Sequence, residues 1–101
     1  MYNGKLKNEE TDRLLEAILS LQTMEECYRF FEDLCTVTEV RALSQRFAVA
    51  ALLRKGETYT AIAEKTGAST ATISRVNRCI AYGSDGYEAV FNRLENRADG
   101  E

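Results

Sequence analysis

Residues 59–78 read YTAIAEKTGASTATISRVNR, two short helical patterns separated by a glycine. Ala63 gives the first pattern a small residue where a second helix could cross closely, and Gly67 tolerates the positive φ of a tight turn. Ser69 precedes the second pattern as an N-cap, and apolar residues recur there at three- and four-residue steps, facing Ile62. These apolar residues are Ile73, Val76 and Ile80. Because all four features occur at the spacing that two crossed helices require, the segment predicts a helix-turn-helix.

The opposite side of the second helix is small and polar at its start and basic further along. Ala71 and the Thr70 methyl group could contact thymine methyl groups, and the Ser74 hydroxyl could bind a base edge. Arg75 and Arg78 could bind phosphate or guanine. The start of the preceding helix offers hydroxyls and the positive end of a helix dipole to a phosphate. The predicted DNA-binding residues are Thr58, Tyr59, Thr60, Ser69, Thr70, Ala71, Thr72, Ser74, Arg75 and Arg78.

The distribution of charge supports this prediction more than the total does. The formal net charge is −3, made up of −5 in residues 1–40, +5 in residues 41–82 and −3 in residues 83–101. Only the middle of the chain could bind a polyanion, and we expect the acidic ends to face away from it. The alternative is a solvent-facing helix with two arginines, or a helix-turn-helix that serves as a protein-interaction module.

Periodicity and capping residues predict an all-α protein of six helices. The predicted helices cover residues 8–21, 24–35, 37–55, 59–66, 70–82 and 86–97. Asn8 is the expected N-cap of the first helix. Three later pairs have the spacing of capping boxes, in which each residue satisfies a free backbone donor of the other. The pairs are Thr23 with Glu26, Thr36 with Glu39, and Asp85 with Glu88.

The first three helices carry more apolar surface than a domain of this size easily covers. Phe30, Phe31, Phe47 and the leucines could pack against a second copy, or could all close one monomeric core. We expect a homodimer. The single domain of residues 1–101 then comprises dimerisation helices (8–56), the helix-turn-helix (58–82) and a C-terminal helix (85–97).

Several other classes of protein are disfavoured by what the sequence lacks. The chain has no histidine, and its three cysteines form no Cys-x-x-Cys pair, so we expect no metal site. Without a glycine-rich loop or a cofactor motif, we expect neither a cofactor nor an enzyme. No apolar run approaches the ~20 residues of a membrane span, and residues 1–5 lack the layout of a signal peptide. We therefore expect a soluble cytoplasmic protein.

Residues 36–77 resemble the Trp repressor superfamily, and the whole chain is similar to its YerC/YecD branch of Trp-repressor-like proteins. The segment ATISR at residues 71–75 is close to the core of the family's recognition helix, and LLR at residues 52–54 matches the end of the preceding helix. The resemblance implies an intertwined dimer whose two recognition helices enter successive major grooves of double-stranded DNA.

The resemblance also implies a tryptophan pocket, from which this sequence departs. The family holds its ligand between two arginines; the second corresponds to Arg75, but the first falls at the uncharged Gln45. Val76 replaces a glycine that leaves room for the indole ring, and a hydroxyl residue becomes Cys79. The pocket candidates are Thr36, Gln45, Thr72, Arg75, Val76 and Cys79.

A valine in the pocket and a lost carboxylate partner predict that tryptophan is not the effector. Whether another small molecule serves as effector stays open. The sequence thus predicts a sequence-specific DNA-binding transcriptional regulator, with a protein-interaction module as the alternative.

Overall fold

A computed structural model of the chain describes residues 1–100, with side chains through Arg97. Its six helices are α1 (Glu9–Leu19), α2 (Met24–Leu34), α3 (Val37–Arg54), α4 (Tyr59–Thr66), α5 (Thr70–Tyr82) and α6 (Gly86–Gly100). No strand occurs within residues 1–100, so the all-α prediction is confirmed. The predicted bounds differ from the observed ones by at most two residues, except at the end of α6. The chain divides into two compact units, Met1–Val40 and Arg41–Glu101, each described below by itself.

The helices of the first unit begin at polar caps that the sequence identifies. Asn8 Oδ1 accepts a hydrogen bond from the Thr11 amide at 2.8 Å, which confirms the α1 cap. At α3, the Glu39 amide donates to Thr36 Oγ1 at 3.1 Å, and the Thr36 amide donates to Glu39 Oε1 at 2.8 Å. This is the full reciprocal capping box. Because the Glu39 carboxylate accepts that bond from the Thr36 backbone, the pKa of Glu39 is lowered from its ordinary value.

The cap of α2 differs from the prediction in one contact. Thr23 Oγ1 accepts from the Glu26 amide at 3.1 Å, as expected. The Glu26 carboxylate, however, accepts from the Gln22 amide at 2.8 Å rather than from Thr23. The side chain of Glu26 therefore satisfies a donor one residue further upstream, and the predicted reciprocity is wrong here.

The apolar residues of the first unit are not buried within the single chain. None of residues 1–40 is buried, and the side chain of Leu19 is 84% exposed. Phe30 and Phe31 meet edge to face, with ring centroids 5.8 Å apart, yet both are only half-buried. A set of large apolar side chains on α1 and α2 remains accessible, namely Leu14, Leu15, Leu19, Met24, Tyr28 and Leu34.

The core lies entirely in the second unit and is built from four helices. Its buried residues are Val49 and Ala50 of α3, Ile62 of α4, Ala68 of the turn that follows α4, Ile73 and Val76 of α5, and Phe91 of α6. Val49, Ile62 and Ile73 have no exposed surface at all. Fully burying such a side chain contributes roughly 1.5–3 kcal/mol. This core therefore fixes α4 and α5 against the second half of α3.

Arg54, at the end of α3, holds α6 in place. Its guanidinium forms ion pairs with Glu95 at 2.8 Å and Glu88 at 3.2 Å, and donates to Asn92 Oδ1 at 3.0 Å. It also lies 5.4 Å from the centroid of the Phe91 ring, a cation–π contact. The hydrogen bond from Arg54 lowers the pKa of Glu95, and Glu95 in turn raises the pKa of Arg54.

The predicted capping box of Asp85 and Glu88 is wrong. Asp85 has a φ of 63°, whereas a capping residue has extended backbone. The Glu88 carboxylate faces Arg54 instead of the start of its own helix. The Glu88 carboxylate therefore forms an ion pair with a residue distant in sequence, and it is not the capping group that the local pattern predicts.

The lowered pKa of Glu95 predicts how acid affects stability. Its carboxylate stabilises the folded protein fully above the ordinary pKa of 4.5, and this contribution is lost as pH falls through the lower folded pKa. Glu95→Gln should therefore be modestly less stable than the original protein at pH 7, and the difference should shrink below pH ~4.5. Urea unfolding at stepped pH and one protein concentration measures this. Glu64→Gln, at an exposed carboxylate outside the ion pairs of residues 1–97, is the control. An equal pH trend in both variants would contradict the assignment.

Candidate nucleic-acid interface

The helix-turn-helix of α4 and α5 is held by buried residues on the two helices that face each other. Ile62 on α4 and Ile73 and Val76 on α5 belong to one buried cluster, and Ala63 and Ile80 pack against it, half-buried. This is the arrangement that the apolar spacing predicts. The inner face of α5 is thus committed to the core, and its opposite face is free for contact with another molecule.

The turn between the two helices is compact and fully hydrogen-bonded around Thr66. Gly67 adopts a left-handed conformation with φ 74°, and its amide donates to the Ala63 carbonyl at 2.9 Å. The Thr66 hydroxyl donates to the Ile62 carbonyl at 2.7 Å and accepts from the Ala68 amide at 3.1 Å. The sequence predicts the role of Gly67 in this turn, whereas the role of Thr66 was not predicted. A threonine just before a helix-ending glycine was the available signal, because its hydroxyl often binds nearby backbone.

Two of the predicted contact residues, Thr58 and Ser69, serve first as helix caps. Thr58 Oγ1 accepts from the Ala61 amide at 3.1 Å at the start of α4. Ser69 Oγ accepts from the Thr72 amide at 3.1 Å and donates to Thr72 Oγ1 at 3.1 Å. The hydroxyl protons and lone pairs used in these bonds are not available to a phosphate in the same geometry. These residues fix the first turns of α4 and α5, while Tyr59 and Thr60 beside them are exposed.

Five of the predicted residues lie together on one exposed face of α5. They are Thr70, Ala71, Ser74, Arg75 and Arg78. Their steps of one, three and four residues place them along one side of the helix, opposite Ile73 and Val76. Neither arginine takes part in an ion pair within residues 1–97. The face has small and hydroxyl side chains at its N-terminal end and two arginines further along.

The six pocket candidates lie in different surroundings, each described below. Val76 is 1% exposed and belongs to the core. Gln45 donates its side-chain amide to the Thr66 carbonyl at 3.2 Å, Thr72 binds Ser69, and Arg75 is exposed. Thr36 lies in the first unit, where its hydroxyl and amide form the α3 cap.

Cys79 is the one candidate that lines a described cavity of about 190 Å³. This cavity is bounded by the end of α3, by the second half of α5 and by the start of α6. The other residues around it are Leu53, Arg54, Asn77, Ile80, Asp85, Tyr87, Glu88 and Phe91. None of these eight residues is predicted as a pocket residue from the sequence, because their proximity arises from the packing of α6.

Two further features of the described residues bear on function. No helix among them is both long enough and apolar enough to cross a membrane. No group of three or more cysteine, aspartate or glutamate side chains among them is arranged to hold a metal ion.

Two short helices crossing at a buried contact, a glycine turn and a capped second helix with a free outer face define a helix-turn-helix protein. The sequence matches the family described as Trp repressor protein over residues 9–95. The chain belongs to the Trp repressor family, as its resemblance predicts.

Individual relatives place the chain in the YerC branch of this family. YerC of Bacillus subtilis (strain 168), an uncharacterized protein, is 56% identical over 95 residues, which are 94% of this chain and 91% of YerC. The crystal structure of a TrpR-like protein from Eubacterium eligens ATCC 27750 superposes with a TM-score of 0.88 at 60% identity, covering 92% of this chain and 96% of that one. A Staphylococcus aureus structure presented as a candidate Trp repressor has a TM-score of 0.86 at 49% identity, covering 89% of this chain and 90% of that one.

Proposed function

We propose that this protein is a sequence-specific, DNA-binding transcriptional regulator that acts as a homodimer and does not respond to tryptophan. The observation that carries the proposal is the exposed face of α5, which begins with small and hydroxyl side chains. Two arginines follow, neither of which forms an ion pair within residues 1–97. The proposal is also supported by membership of the Trp repressor family, which is a family of regulators rather than enzymes. A regulator of this kind acts where the chromosome is, so the proposal places it in the cytoplasm.

The two ends of the α5 face have different tasks in this proposal. Thr70, Ala71 and Ser74 stand at the N-terminal end of the recognition helix, the end that approaches base edges in a major groove. Small side chains there allow the backbone to approach closely. Arg78 lies about one turn beyond Ser74 and binds phosphate, which positions the helix without reading sequence. Thr58, Tyr59 and Thr60 at the start of α4 offer a second phosphate contact.

The homodimer is supported by the apolar surface of the first unit. A chain of 101 residues leaves its first forty without one buried side chain, although they include six large apolar residues on α1 and α2 that are accessible. An exposed apolar surface of this extent marks an interface. A second copy of the chain offers the same surface, and a two-fold arrangement would cover both at once.

The absence of a tryptophan response is supported by Val76 and Gln45. Val76 fills its space in the core, where the family pattern has a glycine that admits the indole ring. The Gln45 amide is already engaged with the Thr66 carbonyl and carries no charge to pair with a carboxylate. Accommodating tryptophan would require both the buried valine and this hydrogen bond to be displaced.

The reading and positioning roles on α5 can be separated by substitution. Arg78→Ala should weaken binding to all duplexes by a similar factor and lower the salt dependence by about one phosphate contact per subunit. Ser74→Ala and Ala71→Leu should instead change the preferred sequence, with roughly 1–3 kcal/mol per altered base contact. Each variant is titrated at several salt concentrations with a duplex selected from a random library and with its scrambled form.

Arg93→Ala, at an exposed arginine of α6, is the matched control and should leave binding unchanged. If Arg78→Ala altered the preference while Ser74→Ala and Ala71→Leu did not, the assignment of the reading face would be wrong. If no α5 variant changed DNA binding, a protein-interaction module would become the better account of this fold.

The dimer predicts a particle of twice the 11.4 kDa chain mass in light scattering at micromolar concentration. Leu19→Glu places a charge on the apolar surface of α1 and should shift the protein towards the monomer. Tyr82→Glu is the control, since Tyr82 is 87% exposed, about as much as Leu19, but lies on α5. A stable monomer for the original sequence would refute the dimer.

Tryptophan at millimolar concentration should give no saturable heat in titration calorimetry, and it should leave DNA affinity unchanged. The physical reason is the filled space at Val76 together with the missing positive charge at Gln45. A saturable heat, or DNA binding that depends on tryptophan, would overturn the interpretation of these two residues.

A further inference from the structure

Gln45 makes a side-chain hydrogen bond that ties α3 to the turn of the helix-turn-helix. Its Nε2 donates to the Thr66 carbonyl at 3.2 Å, across 21 positions of sequence, and both residues are half-buried. Among the described side-chain hydrogen bonds, this is the one that joins α3 to α4. Partial burial matters because a hydrogen bond shielded from water is harder to exchange for one with solvent.

The Thr66 carbonyl, which accepts the hydrogen bond from Gln45, lies where α4 ends and the turn begins. Thr66 is the last residue of α4, where carbonyl groups have no partner within the helix. The Thr66 hydroxyl is bonded to the Ile62 carbonyl and to the Ala68 amide. Ala68 is buried, and the next residue is Ser69, the cap of α5. Only two residues separate Thr66 from Ser69. A displacement of Thr66 would therefore also move the start of the recognition helix.

We infer that Gln45 is a positioning residue for the recognition helix: it fixes the turn to α3 and so sets the orientation in which α5 is presented to DNA. This inference rests on the proposed function. The α5 face has to place Ser74 against a base edge while Arg78 holds a phosphate, and such a pair of contacts tolerates little rotation of the helix. Because the tie is a side chain of the protein, the turn is fixed without an effector.

Substitutions of similar length separate the hydrogen bond from packing. Gln45→Met keeps the length of the side chain and removes the donor, whereas Gln45→Lys keeps a donor at its tip. Gln22→Met, at an exposed residue outside the helices, makes the same chemical change away from the turn. Two readouts are measured for each protein: the ratio of affinities for selected and scrambled duplexes, and the hydrogen exchange of the Gly67 and Ala68 amides in the free protein.

Gln45→Met should lower the affinity ratio roughly tenfold and accelerate exchange at Gly67 and Ala68 by a similar factor. Its affinity for the scrambled duplex and its salt dependence should be unchanged, because the arginines are untouched. Exchange at the core residue Ile73 should also be unchanged. Gln45→Lys should restore most of the ratio, and Gln22→Met should resemble the original protein. A merely structural role would instead weaken both duplexes equally and accelerate exchange at Ile73.

Unchanged exchange at the turn together with an unchanged affinity ratio in Gln45→Met would overturn the inference. If that variant fails to fold, Gln45→Ala carries the same test. If the original protein binds no duplex, the proposed function fails by itself, and exchange in the free protein then decides whether Gln45 holds the turn.

Discussion

The burial of Ile62 against Ile73 and Val76 is the contact on which the remaining architecture depends. These three side chains, with Val49 of α3, are almost completely removed from solvent. Close-packed interiors tolerate little change of volume, so the crossing of α4 and α5 is determined to within a small range of angles. A helix of 13 residues could not hold a defined direction in water by its own backbone bonds. Its direction comes from this contact, and the outer face of α5 follows from it.

Some polar residues of the helix-turn-helix stabilise its helices, and the others remain exposed. The hydroxyls of Thr58, Ser69 and Thr72 satisfy backbone donors or each other. Gly67 supplies the left-handed conformation that lets α4 end. What remains for another molecule is a narrow strip on α5 whose two arginines have no partner in the described chain. Such a division explains why a protein with a net charge of −3 presents a local cationic surface.

Sequence reasoning succeeded where the cause of structure is local. Asn8, Thr36 and Ser69 cap their helices because a cap needs only a side-chain oxygen three residues before a free amide. Prediction from the sequence was wrong where a residue distant in the chain binds a side chain that has the spacing of a local cap. Glu88 has the spacing of a cap but pairs with Arg54, 34 positions earlier in the chain. Likewise Gln45 carries no local sign of its bond to Thr66. The inner and outer faces of α5 follow from periodicity, whereas the cavity beside Cys79 depends on how α6 packs, which no spacing encodes.

The boundary between the two units falls inside α3, and this makes them difficult to exchange as modules. The capping box that starts this helix lies in the first unit, whereas the apolar residues that bury the helix lie in the second. A cut at the boundary would leave the first fragment with the capping box of α3 but without its buried residues. The second fragment would keep the buried residues of α3 without their N-terminal cap. Neither fragment could recover the lost part from its own sequence. Recombination between relatives would therefore be tolerated best in the loops that flank α3, so that this helix is inherited whole.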